Sequence, residues 1–470
     1  MASLTARMPG GFWRKLKDLF RINMKTIFIT SFHPHISRNI LSTDVLRLLK
    51  ENLDLRIVLV VPDYKTGYFK DRFGADNVLV EGARTYMSSR RFSGFFFKRL
   101  ARHFLNSGTI RNHRKYSLYW DRNFIHFILL EFVGFVGKPK TIRAIARWLD
   151  LRLSPRGFFD GLITKYKPDA VFSTEVKNED DVALMQDARR RGIPVINMWR
   201  SWDNPTQQLL RIWPDLLLAG SSELKLETVN LQGFPEEKIR IVGIPHYDKY
   251  VFGPTKNRNA FFAQYGFNPT KKLILFAPGG DRIIKFNDTD DYALNLLLSF
   301  DVNILSRFPP GEDIESIDKK TWPANVVMDK PGFRFAARKG EFEITPEDNE
   351  NLINALHFCD LVVTGPTSLP LDAALVDKPS VLVDTYPTER SIYAKGWGFL
   401  RDHIHKLRST GGTWYVGGKD EFLKAVGSYL ADPSIHAAGR AKIREKWLSY
   451  SDGKSSERMS KEILRFIGSK

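Results

Sequence analysis

The stretch LVVTGPTSLPLDAALVDKPSVLVD, residues 361–384, decides the fold. It opens on an apolar run, Leu361 to Val363, that reads as a buried parallel strand. The run breaks at Thr364-Gly365-Pro366. Thr367 or Ser368 then offers an N-cap, and Pro370 sits in the first turn of a helix through Leu375. A second strand, Ser380 to Val383, follows at once and closes on Asp384. Strand, small-residue loop and helix N-terminus together aim backbone N–H groups and a helix dipole at one point, which suits a diphosphate. The expected contacts here are Thr367, Ser368 and Asp372.

Two earlier junctions repeat the grammar. Residues 271–286, KKLILFAPGGDRIIKF, give a strand over Leu273–Phe276, a turn carrying Gly279 and Gly280, then Arg282 and Lys285. Residues 300–313, FDVNILSRFPPGED, give a strand ending on Arg307 before Pro-Pro-Gly. In a parallel sheet such ends lie side by side on one rim, where open α/β folds take ligands. Arg282 and Arg307 are the expected counter-charge.

Strand and helix alternate outward from there. Strands are expected over Thr26–Thr30, Leu55–Val61, Lys167–Ser173, Pro194–Trp199, Leu216–Gly220 and Ile239–Gly243, with Ser37 as N-cap of the first helix. Residues 84–160 interrupt the rhythm as a basic helical insertion. The expected division is a basic amphipathic segment 1–24, an N-terminal domain 25–250, a second domain 251–435 that carries the diphosphate site and is entered through a linker loop (Val251 to Asn268), and a C-terminal helix within 436–470 packing back toward the N-terminal domain. Alternation in both halves predicts two Rossmann-like, doubly wound α/β domains facing across a cleft.

Composition narrows the class. The 470 residues fit two or three domains. A single cysteine, Cys359, excludes a disulfide scaffold and a cysteine-rich metal site, and fits an intracellular chain. The first residues lack the apolar core of a secretory signal. The longest apolar run, 124–137, is broken by His126 and Glu131 and is shorter than the about 20 residues that span a bilayer. The net charge of +18 is concentrated: nine basic residues and no acid lie between Arg84 and Trp120, interleaved with Phe92, Phe95, Phe96 and Phe97. Bulky apolar groups beside arginine suit an anionic membrane surface rather than nucleic acid, and residues 12–20 repeat the pattern. The expected place is the inner face of a membrane, held peripherally, with no nucleic-acid partner.

Several motifs then fall in a telling order: Ser201-Trp202-Asp203-Asn204-Pro205-Thr206, Gly243-Ile244-Pro245-His246-Tyr247-Asp248, Ala277-Pro278-Gly279-Gly280, Arg307 before Pro309, and Thr364 to Ala374. Over about residues 165–385 this order resembles bacterial surface-polysaccharide glycosyltransferases of the GT-B fold. More distantly it resembles CDP-glycerol glycerophosphotransferases and UDP-N-acetylglucosamine 2-epimerases. The chain departs from the glycerophosphotransferases where they carry His-Gly-Thr-Pro, since Trp202-Asp203-Asn204-Pro205 stands there. The epimerases' catalytic acids are unmatched too. The resemblance implies metal-independent sugar transfer from a nucleotide-diphosphate sugar, with no further cofactor, to a lipid-linked or surface-polysaccharide acceptor, with 25–250 as the acceptor-binding and 251–435 as the nucleotide-donor-binding domain. The alternatives are a CDP-alditol phosphotransferase and a non-catalytic membrane-binding scaffold.

Such transfer needs a base for the acceptor hydroxyl. Asp203 is the first candidate, against an Asx-turn role, and Glu175 the second, against a solvated acid beside Lys177. His33, flanking Pro34 with His35, is the third. His246, near the interdomain hinge, either touches the nucleotide or packs. Asp288-Thr289-Asp290 has the form of a metal motif but reads as a helix cap, and no metal ligand is expected.

Overall fold

Aliphatic and β-branched runs pair side by side wherever the sequence offers them. A computed structural model describes residues 24–281, 287–336, 338 and 340–469. The amphipathic segment 12–20, Arg282 and Lys285 lie outside the described residues. The first sheet contains β1 (Lys25–Thr30), β2 (Leu55–Pro62), β3 (Val78–Ala83), β4 (Ala170–Ser173), β5 (Val195–Met198), β6 (Leu216–Ala219) and β7 (Ile239–Ile241). Its order is β3-β2-β1-β4-β5-β6-β7, with every pairing parallel.

The second sheet holds β8 (Leu273–Ala277), β9 (Asn303–Arg307), β10 (Val326–Asp329), β13 (Leu361–Thr364), β14 (Ser380–Val383) and β15 (Trp414–Val416). Its order, β10-β9-β8-β13-β14-β15, repeats that of the first six strands of the N-terminal sheet. A two-stranded ribbon, β11 (Phe333–Arg334) and β12 (Phe342–Glu343), stands apart. Each sheet therefore has a point where strand order reverses, at β1/β4 and at β8/β13, and ligands bind at such points. The doubly wound pair is the GT-B architecture.

Helix α1 (Asp44–Lys50) follows β1. The insertion between β3 and β4 contributes α2 (Phe92–Phe104), α3 (Gly108–Asp121), α4 (Phe124–Val136) and α5 (Lys140–Leu153). Beyond β4 come α6 (Glu179–Arg190), α7 (Pro346–Phe358), α8 (Leu369–Leu375) and, at the C-terminal end, α9 (Ser455–Gly468). Met459, Ile463 and Ile467 of α9 pack in the N-terminal core with Val45 and Leu49 of α1. The chain thus crosses back from the second domain to the first.

Two local expectations change. Ser37 does not cap a helix: a π-turn spans Ser37–Leu41, and Thr43 caps α1 by accepting from Val45 N. The Ser37 hydroxyl instead donates to Glu343 Oε2 of the other domain at 2.5 Å. The stretch 251–268, expected as a linker loop, contains a helix, Arg258–Tyr265, capped by Asn257. Its Phe261 and Phe262 are buried in the second domain's core, which is why it folds rather than loops.

Candidate active site in the interdomain cleft

The two switch points face each other across a cleft with two lobes, of about 100 and about 170 Å³. The first is walled by the ends of β5, β6 and β7, with Arg200, Trp202, His246 and Tyr247 among its lining. The second is walled by the ends of β8 and β9 and the start of α7, with Pro278, Arg307, Ile344 and Asn349 among its lining. His35, Arg38 and Ser368 line both lobes and so mark their junction.

Arg38 is half-buried there and bonds Asn39 Oδ1 through Nε at 3.1 Å. Among the described residues it forms no ion pair. A half-buried guanidinium outside any ion pair keeps donors that an arriving anion can take. Ser368 is exposed at the start of α8, beside Thr367, whose hydroxyl accepts from Leu369 N at 3.2 Å. Ser368 itself makes no side-chain cap. Its hydroxyl remains available to a ligand.

His246 reaches the cleft because the chain turns sharply before it. Gly243 has φ +85°, and a Cβ there would lie 2.3 Å from Ser455 Oγ at the start of α9. Only glycine fits between that turn and the returning helix. The Pro245–Tyr247 turn then presents His246, which is buried, with Nδ1 lacking a hydrogen-bond partner among the described residues. Burial pushes its imidazole well below its ordinary pKa, assisted by Arg38 and His35. It is a neutral base at physiological pH.

Other expected site residues are occupied elsewhere. Gly279 and Gly280 donate their N–H groups to the Asp290 carboxylate at 2.8 and 2.9 Å, so those donors do not face a phosphate. This corrects both glycines as phosphate ligands, and it gives Asp290 a turn-bracing role in place of a helix cap. Arg307 lines the second lobe, but its guanidinium is shared with Asp329 and the Asp348 carbonyl. Asp372 accepts from Tyr250 at 2.8 Å and Tyr247 at 3.2 Å, and burial raises its pKa. It lines the second lobe and ties the hinge to α8.

The three candidate bases do not meet in the cleft. Glu175 is buried and paired with Arg200, which is the residue that lines the first lobe. His33 packs edge-on against His35 at 4.9 Å, and it is His35 that lines both lobes. Asp203 lies away from the lining, bonded to Gln207 and 3.4 Å from Arg401 of the second domain. Burial favours its neutral acid, but His403, Lys177, Arg401 and Arg200 outweigh it and hold the carboxyl well below the usual range. Held in that charge cluster and away from both lobes' linings, it suits an ion-pair strut rather than proton abstraction.

Asp203→Asn should therefore cost about 1–3 kcal/mol of stability while kcat falls less than about threefold. Because the folded-state pKa is depressed, the Asp203 contribution is present above the ordinary 3.8 and disappears as pH falls below it. A kcat loss of about 10² with an unchanged melting curve would return the base role to Asp203.

Comparison with known proteins places this geometry. The family model for CDP-Glycerol:Poly(glycerophosphate) glycerophosphotransferase matches residues 204–465. No curated protein matches the chain. Among solved structures, S. aureus MnaA with UDP shares 13% identity at a TM-score of 0.55, covering 95% of this chain and 97% of that one. The UDP-GlcNAc 2-epimerase of Neisseria meningitidis, bound to UDP-GlcNAc, shares 11% at 0.54, covering 94% and 100%. CalG4, the calicheamicin glycosyltransferase, shares 12% at 0.50, covering 95% and 99%. At these identities the likeness is one of fold.

Proposed function

Since the chain belongs to the CDP-glycerol:poly(glycerophosphate) glycerophosphotransferase family, transferases of cell-surface polymer synthesis, we propose that it moves a sugar from a nucleotide-diphosphate donor to a lipid-linked or polysaccharide acceptor. The observation that carries the reading is the meeting of His35, Arg38 and Ser368 at the junction of the two lobes. The nucleotide occupies the lobe of the second domain, and its diphosphate lies between Arg38 and the Thr367–Ser368 hydroxyls. The acceptor enters the lobe of the first domain. Its hydroxyl gives its proton to His246 as the sugar–phosphate bond breaks, and Arg38 neutralises the departing diphosphate.

The family match favours a second reading, alditol-phosphate transfer from a CDP-alditol. Against it stands the Trp202-Asp203 position, where Trp202 packs on Trp447 at 5.2 Å and on His403 at 4.5 Å. No histidine occupies the place where glycerophosphotransferases carry one. Following nucleotide release from a panel of nucleotide sugars and CDP-glycerol separates the two. Nucleoside diphosphate with glycosylated acceptor supports sugar transfer; CMP from CDP-glycerol replaces it with the second reading.

Arg38→Ala should weaken nucleotide-diphosphate binding by about 10- to 100-fold, the span of a charge-assisted hydrogen bond, as read by calorimetry. Unchanged affinity would move the phosphates away from the lobe junction.

We also propose that the insertion rests on an anionic membrane. Supporting this, α4 leaves Phe124, Ile125, Ile128, Leu129, Phe132 and Phe135 exposed, while Phe95 and Phe96 of α2 are exposed beside arginines. Among the described residues, no helix is long and apolar enough to cross a membrane. Phe97 is buried and belongs to the fold. Serine at Phe95 and Phe96 alone should weaken binding to anionic vesicles about tenfold without altering nucleotide affinity, and rising salt should release the wild type. Equal sedimentation of variant and wild type would remove α2 from the contact.

A further inference from the structure

A second cavity, of about 710 Å³, lies within the insertion and shares no lining residue with the cleft. Helices α2, α3 and α4 form most of its wall, and Lys177, Gln208 and Trp397 close it from behind. Its charge is one-sided. Lys98, Arg99, Arg102 and Lys177 line it, and Asp121 is the one acid among the lining residues. Among the described residues, none of those four cations takes part in an ion pair.

Two buried polar groups in the wall also lack partners. His103 is 6% exposed and Gln208 8%, and neither His103 Nδ1 nor Gln208 Nε2 has a hydrogen bond among the described residues. Buried polar groups left without partners are costly, and a ligand's oxygen atoms would satisfy them. Burial, then Arg114 and Arg102, push the His103 imidazole down to about 3. Burial, then Arg102 and Arg401, push His113 to about 4. The wall already rejects further positive charge. An anion with several acceptor oxygens is what it lacks.

The rim has the opposite character. His126 and Leu130 of α4 line the cavity, while Ile125, Ile128, Leu129 and Phe132 of the same helix are exposed. Phe95 lines the cavity from α2 with about half its surface exposed, and Phe96 lies exposed next to it. A basic cavity therefore opens beside a row of exposed apolar side chains on α4 and α2. Free phosphate would use only the cavity, and an ordinary apolar partner only the rim.

We propose that this cavity binds the phosphate or diphosphate end of a membrane-embedded amphiphile whose chain lies along α4. The site is distinct from the donor cleft, and it is read by binding alone, so it does not depend on which donor the cleft accepts. The residues assigned to hold the oxygens are Arg102, Gln208 and His103, with Lys98 and Arg99 at the rim.

The test is flotation of the full chain with three vesicle types: phosphatidylcholine alone, the same with phosphatidylserine, and the same with a long-chain prenyl phosphate at equal surface charge. Wild type should bind the prenyl phosphate vesicles about tenfold more tightly than the serine-lipid vesicles. Arg102→Gln should erase that preference. Because Lys98 and Arg99 are exposed, the double variant Lys98→Gln/Arg99→Gln should fold normally and reduce the preference as well. Equal binding to the two charged vesicle types would overturn the proposal, as would a preference that survives both variants. Inorganic pyrophosphate bound in the cavity without any preference among vesicles would overturn the lipid assignment.

Discussion

Glutamine in place of His246 should lower turnover by about 10² to 10⁴ while nucleotide affinity stays within about twofold. The side chain stands in the lobe of the first domain, is buried, and keeps Nδ1 without a partner among the described residues. Burial holds it neutral, so no proton must leave before it accepts one. Glutamine keeps similar bulk and hydrogen-bonding capacity and loses only the ability to take a proton. If His246 merely packs against Tyr247, whose ring centroid is 4.2 Å away, the variant will melt earlier and lose kcat and affinity together. A kcat within about threefold of wild type would transfer the proton to His35 or to water.

The fold was legible because its signals are local. Apolar runs such as Leu361–Val363 and Leu273–Phe276 become strands β13 and β8 almost residue for residue. The Thr364–Ser368 break, too, leads into α8 where Pro370 allows it. The site was legible only in part. Thr367, Ser368, Asp372, Arg307 and His246 line the cleft. Gly279 and Gly280 looked like free donors because Asp290, ten residues on, claims their N–H groups through a turn the sequence does not display. Glu175 looked solvated because its partner, Arg200, comes from the next strand's end. Arg38 carries no local mark at all. Its significance lies in its place at the lobe junction without a direct ion pair among the described residues, and that is a property of the assembled cleft. Phe97 differs from Phe95 and Phe96 for a related reason: one turn of helix decides which ring meets the core and which meets solvent.

The same dependence on assembly governs how the cleft is held closed. Lys65 of the first domain is fully buried, with Nζ 2.9 Å from Glu343 Oε1, 3.1 Å from the Phe342 carbonyl and 3.3 Å from Glu341. The Ser37 hydroxyl donates to the other oxygen of Glu343. Tyr68 stacks on Phe333 at 5.2 Å and extends the contact. The latch adjoins the site on both sides, since Arg38 follows Ser37 and Ile344 of the second lobe follows Glu343. Lys65→Met should cost about 3–5 kcal/mol at neutral pH, because it leaves a buried carboxylate with one neutral partner. Burial already pushes Glu343 up to about 7, against Lys65, from an ordinary 4.5. The folded form thus binds that proton more tightly than the unfolded chain, and stability falls as pH rises between those values. Without Lys65 the window extends upward, so the loss should shrink on acidification. Lys65→Met/Glu343→Gln should recover most of it and restore nucleotide affinity, which the single variant weakens by letting Arg38 and Ile344 move apart. A loss equal in single and double variants, and flat from about pH 5 to about pH 8, would mean that Lys65 acts by packing alone.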